Sequence, residues 1–226
     1  MHPPGAALLI LADGRFPAGG HAHSGGAEAA VLAGRITGAG DLEDFCRGRL
    51  HTTGLVAAAL AAAACAGHDP LTLDAAADAR TPSPALRAVG RRLGRQLLRA
   101  ARVTWPCAAL ESLAELRPRG AHQPVVLGLA ARAAGTTPYG AALAAGYEAV
   151  SGPATAVVRL LSLDPLDATA VLARLAPDLE QVAERAVAAA AEVPAHGTDA
   201  LPAASAPLLD ISAEAHAARS VRLFAS

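Results

Sequence analysis

The chain has 226 residues, 53% hydrophobic and only 3% aromatic, with 19 basic residues against 20 acidic ones. A chain of this length with one composition throughout reads as a single domain, able to bury roughly 70% of the surface its unfolded form exposes. The charge balance excludes the broad basic field that gathers nucleic acid or an anionic membrane.

With so few aromatic residues the core must be built from Leu, Val and above all Ala, the strongest helix former. The fold class expected is all-α: a single-domain bundle of roughly eight to ten helices with an Ala-rich core and a flexible C-terminal arm ending in a short helix. The longest uncharged stretch, 50–69, carries His51, His68 and two threonines and is mostly Ala, which falls short of a spanning helix. Met1-His2-Pro3-Pro4 lacks the charged start of a signal segment, so the expected location is cytoplasmic. Cys46, Cys65 and Cys107 lie far apart inside apolar helical patterns and read as buried thiols, not as a disulfide framework or a zinc site.

Residues 6–12 form a short apolar run ended by Asp13-Gly14, which predicts a first helix with Gly14 just past its end. The stretch Phe16-Pro17-Ala18-Gly19-Gly20-His21-Ala22-His23-Ser24-Gly25-Gly26-Ala27-Glu28 follows, the densest in glycine and histidine anywhere in the chain. Pro17 fixes its own φ and biases Phe16 toward extended geometry, while the glycines open φ values closed to other residues, so the chain turns sharply in a loop over 14–25. Gly20 is expected in a strained conformation or a close approach that a side chain would spoil. Ser24 is placed to cap a second helix stopping near Gly34, and Glu28 is expected on its surface, either facing a partner or as a solvated helix-start charge.

Asp41 is expected to cap a third, Ala-rich helix reaching about Ala66, and Pro70 opens a brief one through Ala79. After Thr81-Pro82-Ser83-Pro84, apolar residues Leu86, Val89, Leu93, Leu97 and Ala101 recur at helical spacing. Opposite them stand Arg87, Arg91, Arg92, Arg95 and Arg99, a basic stripe that is either a solvated face or a partner surface. Trp105-Pro106 breaks the chain before a helix over 107–116, and His122-Gln123-Pro124 precedes an apolar helix over 125–134. Thr136 or Thr137 caps the next, which runs toward Leu163 and should kink near residue 152 at Gly152-Pro153. Asp164-Pro165 begins a last long helix that Pro177 can interrupt. Residues 193–206, aperiodic and rich in Pro, Gly, Ala and Ser, are expected to be a mobile linker between a body of residues 1–192 and a C-terminal motif over 207–226.

Candidates for chemistry are few. His21 and His23 could approach one ion, but no Cys, Asp or Glu with metal-site spacing stands near them, so they read as loop or hydrogen-bonding residues. His122 and His216 read as packed or capping histidines. Gly19-Gly20 with Ser24 could hold an anion on backbone N–H groups, yet no Lys follows and the phosphate-loop pattern is absent. The reading is a binding protein that does not hydrolyse nucleotide by itself.

The stretch 16–36 resembles the N-terminal signature of the UreF family of urease accessory proteins. Ala206-Pro207-Leu208-Leu209-Asp210-Ile211, His216 and the ending Arg222-Leu223-Phe224-Ala225-Ser226 are similar to the family's C-terminal motif. Gly94-Arg95-Gln96-Leu97-Leu98, Trp105-Pro106, His122 to Gly128 and Ala156 to Leu161 follow its order between them. The resemblance implies a non-enzymatic, all-α accessory protein, typically a homodimer, that binds the UreD (also called UreH) scaffold protein and the UreG GTPase. In that complex nickel is delivered to the urease apoprotein and UreG hydrolyses GTP, with no cofactor bound by this chain itself.

The two motifs supply the expected partner-binding residues: Phe16, Pro17, Gly19, Gly20, His23, Ser24, Gly25 and Glu28 from the first, and Pro207, Leu208, Asp210, Ile211, His216, Arg222, Leu223 and Phe224 from the second. Leu223 and Phe224 are expected to be buried, docking the tail so that Arg222 approaches the glycine loop. The alternatives are a nickel-binding transfer protein using His21 and His23, and an unrelated helical adaptor or enzyme. The chain departs from the family's pattern at Gly26-Ala27 in place of Gly-Leu, at His21 where an aromatic is common, and after His216, where an acidic residue often follows.

Overall fold

The computed structural model describes residues 5–225, and among them every regular element is a helix. Helix α1 (Ala7–Ala12) precedes the glycine loop and α2 (Ala27–Leu32) follows it. Next comes a single rod made of α3 (Ala39–Arg49), a π-helical turn (Leu50–Gly54) and α4 (Leu55–Ala66). The chain continues through α5 (Pro70–Ala79), α6 (Pro84–Thr104), α7 (Ala108–Leu116), α8 (Gln123–Ala133) and α9 (Pro138–Leu161). It ends with α10 (Pro165–Arg174), α11 (Ala176–Ala191), the single turn α12 (Val193–His196) and α13 (Pro207–Ala217).

Four of these starts share one local device. Asp69, Ser83, Thr137 and Asp164 each accept a backbone N–H of the first turn on a side-chain oxygen, and each is followed by a proline whose missing N–H would have had no partner there. Asp41 departs from this expectation. Gly38 holds the cap position of α3, and Asp41, in the first turn, accepts the N–H of Thr37 at 2.9 Å. Pro177 sits in the first turn of α11, where the expected last helix divides into two.

The core follows from alanine. Nearly every residue of α4 is buried, which is what a helix apolar on all sides requires, and α8, α9 and α11 pack around it. The approach is close: a Cβ on Gly128 of α8 would stand 2.2 Å from the Ala61 carbonyl oxygen. The rod Ala39–Ala66 is long and apolar enough to cross a membrane, but 67% of its apolar window is buried against neighbouring helices of this fold. Cys46 and Cys65 are buried in this core, and burial pushes their thiols up to about 12 and about 11; Cys107 is only half-buried, because it precedes α7 at the surface.

Pro153 lies inside α9, which continues through it to Leu161. The proline cannot donate to the carbonyl four residues earlier, Ala149. Arg49 fills the gap, its Nε donating to that oxygen at 2.9 Å, and Cys46 Sγ lies 3.7 Å from the next carbonyl, Val150. Thus a cation from α3 satisfies an acceptor that a sequence defect in α9 exposes.

The segment expected as a tether carries a helical turn and is fastened to the body. Arg80 donates to the carbonyls of Thr198 at 2.6 Å, Leu201 at 3.1 Å and Pro202 at 2.9 Å, and Leu201 is buried. A planar guanidinium suits this task, since an irregular segment presents several unpaired carbonyls at once.

The Arg49 bridge yields a test. Arg49→Met should cost about 1–3 kcal/mol by leaving a buried acceptor unpaired. In a Pro153→Ala background, where the helix supplies its own donor, the same change should cost measurably less. Urea denaturation of the four chains gives the coupling, and equal costs in both backgrounds would refute the bridge.

Candidate partner-binding site

The glycine loop is held by contacts that only small residues permit. Gly19 has φ 81°, and a Cβ there would overlap the amide of Gln96 on α6, at 1.6 Å from Oε1. Gly26 has φ 92°, and its Cβ would press on Leu209 of α13 at 3.1 Å. Gly25 faces Pro153 and Arg49. Gly20, the expected strained position, has open space around it and no positive φ; the constraint falls on Gly19 instead. At the root of the loop Phe16 stacks on Trp105 with ring centroids 5.7 Å apart, and Pro17 is exposed. Ser24 is fully buried and its Oγ accepts the Glu28 N–H at 3.3 Å, although Gly26 is the cap residue of α2.

Glu28 corrects the expectation of a surface acid: it is 3% exposed. Its two carboxylate oxygens accept the backbone N–H groups of Leu223 at 2.8 Å and Phe224 at 3.0 Å. A buried carboxylate is tolerable only when hydrogen-bonded, and bonds to a charged acceptor are worth about 1.5–3 kcal/mol each. His216 adds to the joint from α13, its Nε2 lying 3.3 Å from the Phe224 carbonyl and 3.7 Å from Glu28. A carbonyl only accepts, so Nε2 carries the proton. The Ala225 N–H donates to the Ala22 carbonyl at 2.8 Å and pairs the tail directly with the glycine loop.

The tail bends at Leu223 and Phe224, which turns two successive N–H groups toward the one Glu28 carboxylate. Phe224 is 8% exposed, whereas Leu223, also expected inside, is 78% exposed. Arg222 approaches the N-terminal segment as expected, with no hydrogen bond to it among the described residues. It lines an open cleft of about 620 Å³ together with His21, Ala22, Arg159, Leu160 and Phe224. Two arginines over an apolar floor make that cleft receptive to a carboxylate flanked by apolar side chains.

Helix α13 is anchored from its other side. Asp210 accepts the Ser83 N–H at 3.2 Å, and Glu214 accepts the Ser83 hydroxyl and the Ala85 N–H at 2.9 Å, so two acids one turn apart sit at the N-terminus of α6. Ser83 and Ala85 hold the Glu214 carboxyl below the usual range. Asp210 is thus tied to the body, whereas Leu208 at 54% and Ile211 at 67% exposure face outward. Among the expected residues the joint brings together Ser24, Glu28, His216, Phe224 and, through its backbone N–H, Leu223. Pro207 starts α13 away from it. Arg159, Gln96 and Glu214 belong to this region too; the runs Ala156 to Leu161 and Gly94 to Leu98 hinted at the first two.

His21 is exposed and His23 is buried, so the two imidazoles occupy different surroundings. Among the described residues no group of three His, Cys, Asp or Glu side chains is arranged to hold a metal ion. Burial, with the charge of Arg92 and then His21, lowers the His23 pKa to about 4.

Residues 36–176 match the UreF family. The chain is 46% identical over 222 residues to the urease accessory protein UreF of Mycobacterium sp. (strain JLS), covering 97% of each chain. It is 42% identical over 225 residues to that of Mycolicibacterium vanbaalenii, and 42% identical over 224 residues to that of Mycobacterium tuberculosis, covering 98% of each chain in both cases.

Two outcomes follow from this geometry. Glu28→Gln turns one acceptor oxygen into a donor facing a backbone N–H, and should weaken tail docking by about 1–3 kcal/mol. Hydrogen exchange should quicken at Leu223 and Phe224 while α4 stays protected; unchanged exchange at both amides would contradict the joint. The second outcome concerns pH. A histidine whose folded pKa lies near 4 and unfolded pKa near 6.5 gives its full stability above 6.5 and loses it as pH falls toward 4. Glu148, pushed up to about 7 by burial, acts with the opposite slope between 4.5 and 7. The diagnostic quantity is therefore the difference between the native chain and His23→Gln, which should shrink as pH is lowered from 6.5 to 4 in parallel denaturant titrations.

Proposed function

Since this chain belongs to the UreF family of urease accessory proteins, with a role in urease maturation and not in catalysis, we propose that it is a chaperone for nickel insertion into the urease apoprotein. In this reading it works in the cytoplasm as a homodimer, binds the UreD/UreH scaffold protein and positions the UreG GTPase. Nickel is the cargo of the complex and GTP the partner's substrate; this chain contributes surfaces.

The observation that carries the reading is the joint at Glu28. It merges the two most distinctive stretches of the sequence into one continuous surface. That surface offers exposed apolar side chains on α13 and the tail, namely Leu208, Ile211, Val221 and Leu223, beside the arginine-lined cleft next to the loop. Apolar anchors next to a cationic pocket suit the core and rim of a protein interface. The α13 side is assigned to the scaffold and the loop side to the GTPase.

Co-purification tests this. The full chain should form a ternary complex with the scaffold and the GTPase, and a chain ending at Ala206 should not. Circular dichroism would show that the shortened chain keeps its helices. A shortened chain that retains both partners would refute the assignment of the tail.

A further inference from the structure

Six arginines lie on α6, and their fates differ. Arg87 donates to the carbonyls of Thr81 and Pro82, Arg91 reaches Asp74, Asp78 and the Gly120 carbonyl, and Arg102 pairs with Glu111. Arg92, Arg95 and Arg99 are exposed and make no hydrogen bond or ion pair among the described residues. Spaced by three and then four residues, they share one face and span about 10 Å of helix axis. Gln96 lies between them, and Val103, 83% exposed, ends the same face.

We propose that this face of α6 is a docking surface for an acidic face of the GTP-hydrolysing partner, continuing the contact made at the glycine loop. The proposal rests on the reading of the loop given above and extends it. Three observations support it. Like charges three and four residues apart destabilise a helix, and here, unlike at Arg91 or Arg102, the fold supplies no carboxylate in return. The stripe adjoins the loop, because Gln96 packs on Gly19 and the charge of Arg92 acts on His23. The chain as a whole carries a net charge of −1, so the stripe is a local feature and not part of a general polyanion-binding field. Carboxylates at matching spacing on a partner would remove the repulsion and gain charge-assisted hydrogen bonds.

The test compares the native chain with Arg92→Glu/Arg95→Glu/Arg99→Glu, with the corresponding triple Gln variant, and with Arg185→Glu, an exposed arginine on α11 far along the sequence. Affinity for the GTPase, presented with the scaffold, is measured at about 50 and about 300 mM NaCl, where screening of exposed charges differs strongly. The charge reversal should weaken binding by about 100-fold at low salt and the Gln variant by about tenfold, with the salt dependence flattened in both, while Arg185→Glu changes nothing. Because the Gln variant relieves repulsion within α6, its melting temperature should not fall, which separates lost docking from lost folding. Native affinity and native salt dependence in both triple variants would overturn the stripe, even if removal of residues 207–226 abolishes the complex and the reading of the loop and tail stands. If the native chain itself does not bind the GTPase, the proposal falls together with that reading. Tighter binding of duplex DNA than of the GTPase, lost in the Gln variant, would overturn it in favour of a nucleic acid.

Discussion

The structure turns on one buried carboxylate. Glu28 cannot stay charged and dry unless donors reach it, and the donors come from backbone amides 195 and 196 residues further along the chain. Bringing such distant segments together from an unstructured state costs about 1.5RT ln n, roughly 4–5 kcal/mol for this span. The folded body removes most of that cost. Arg80 holds the chain at residues 198–202 and the N-terminus of α6 holds Asp210 and Glu214, so only a short stretch remains to be closed.

Loop and body are linked from the other side by Arg49. The guanidinium that satisfies Ala149 lies beside Gly25, as does the ring of Pro153. The irregularity in α9 and the turn in the glycine loop therefore meet at one cation, which burial shifts below its ordinary pKa. The loop is positioned by side chains of α3, α6 and α9 and not by its own short helices.

Helix starts were legible in the sequence because their causes are local. A capping side chain followed by proline marks Asp69, Ser83, Thr137 and Asp164 without reference to anything distant. The all-α class was equally legible, since alanine is both a strong helix former and small enough for the close contact at Gly128. The glycine loop stood out as a motif, but which glycine carries the constraint depends on Gln96, more than seventy positions away. Glu28 failed for the same reason: a first-turn acid is usually solvated, and only the returning tail buries it. Leu223 and Phe224 look alike in sequence, and the bend of the tail over Glu28 separates them. In each case the missing information was a tertiary contact and not a propensity.

The stacked pair at the root of the loop has a consequence for observing this molecule. Trp105 is the only tryptophan and rests on Phe16, where the chain enters the glycine loop. Its core is alanine and leucine, which neither absorb nor emit in the near ultraviolet. Intrinsic fluorescence excited at the red edge thus originates at a single point beside the glycine loop. The molecule carries its own reporter there: a change in emission reads the opening or ordering of the loop, and is blind to most of the bundle.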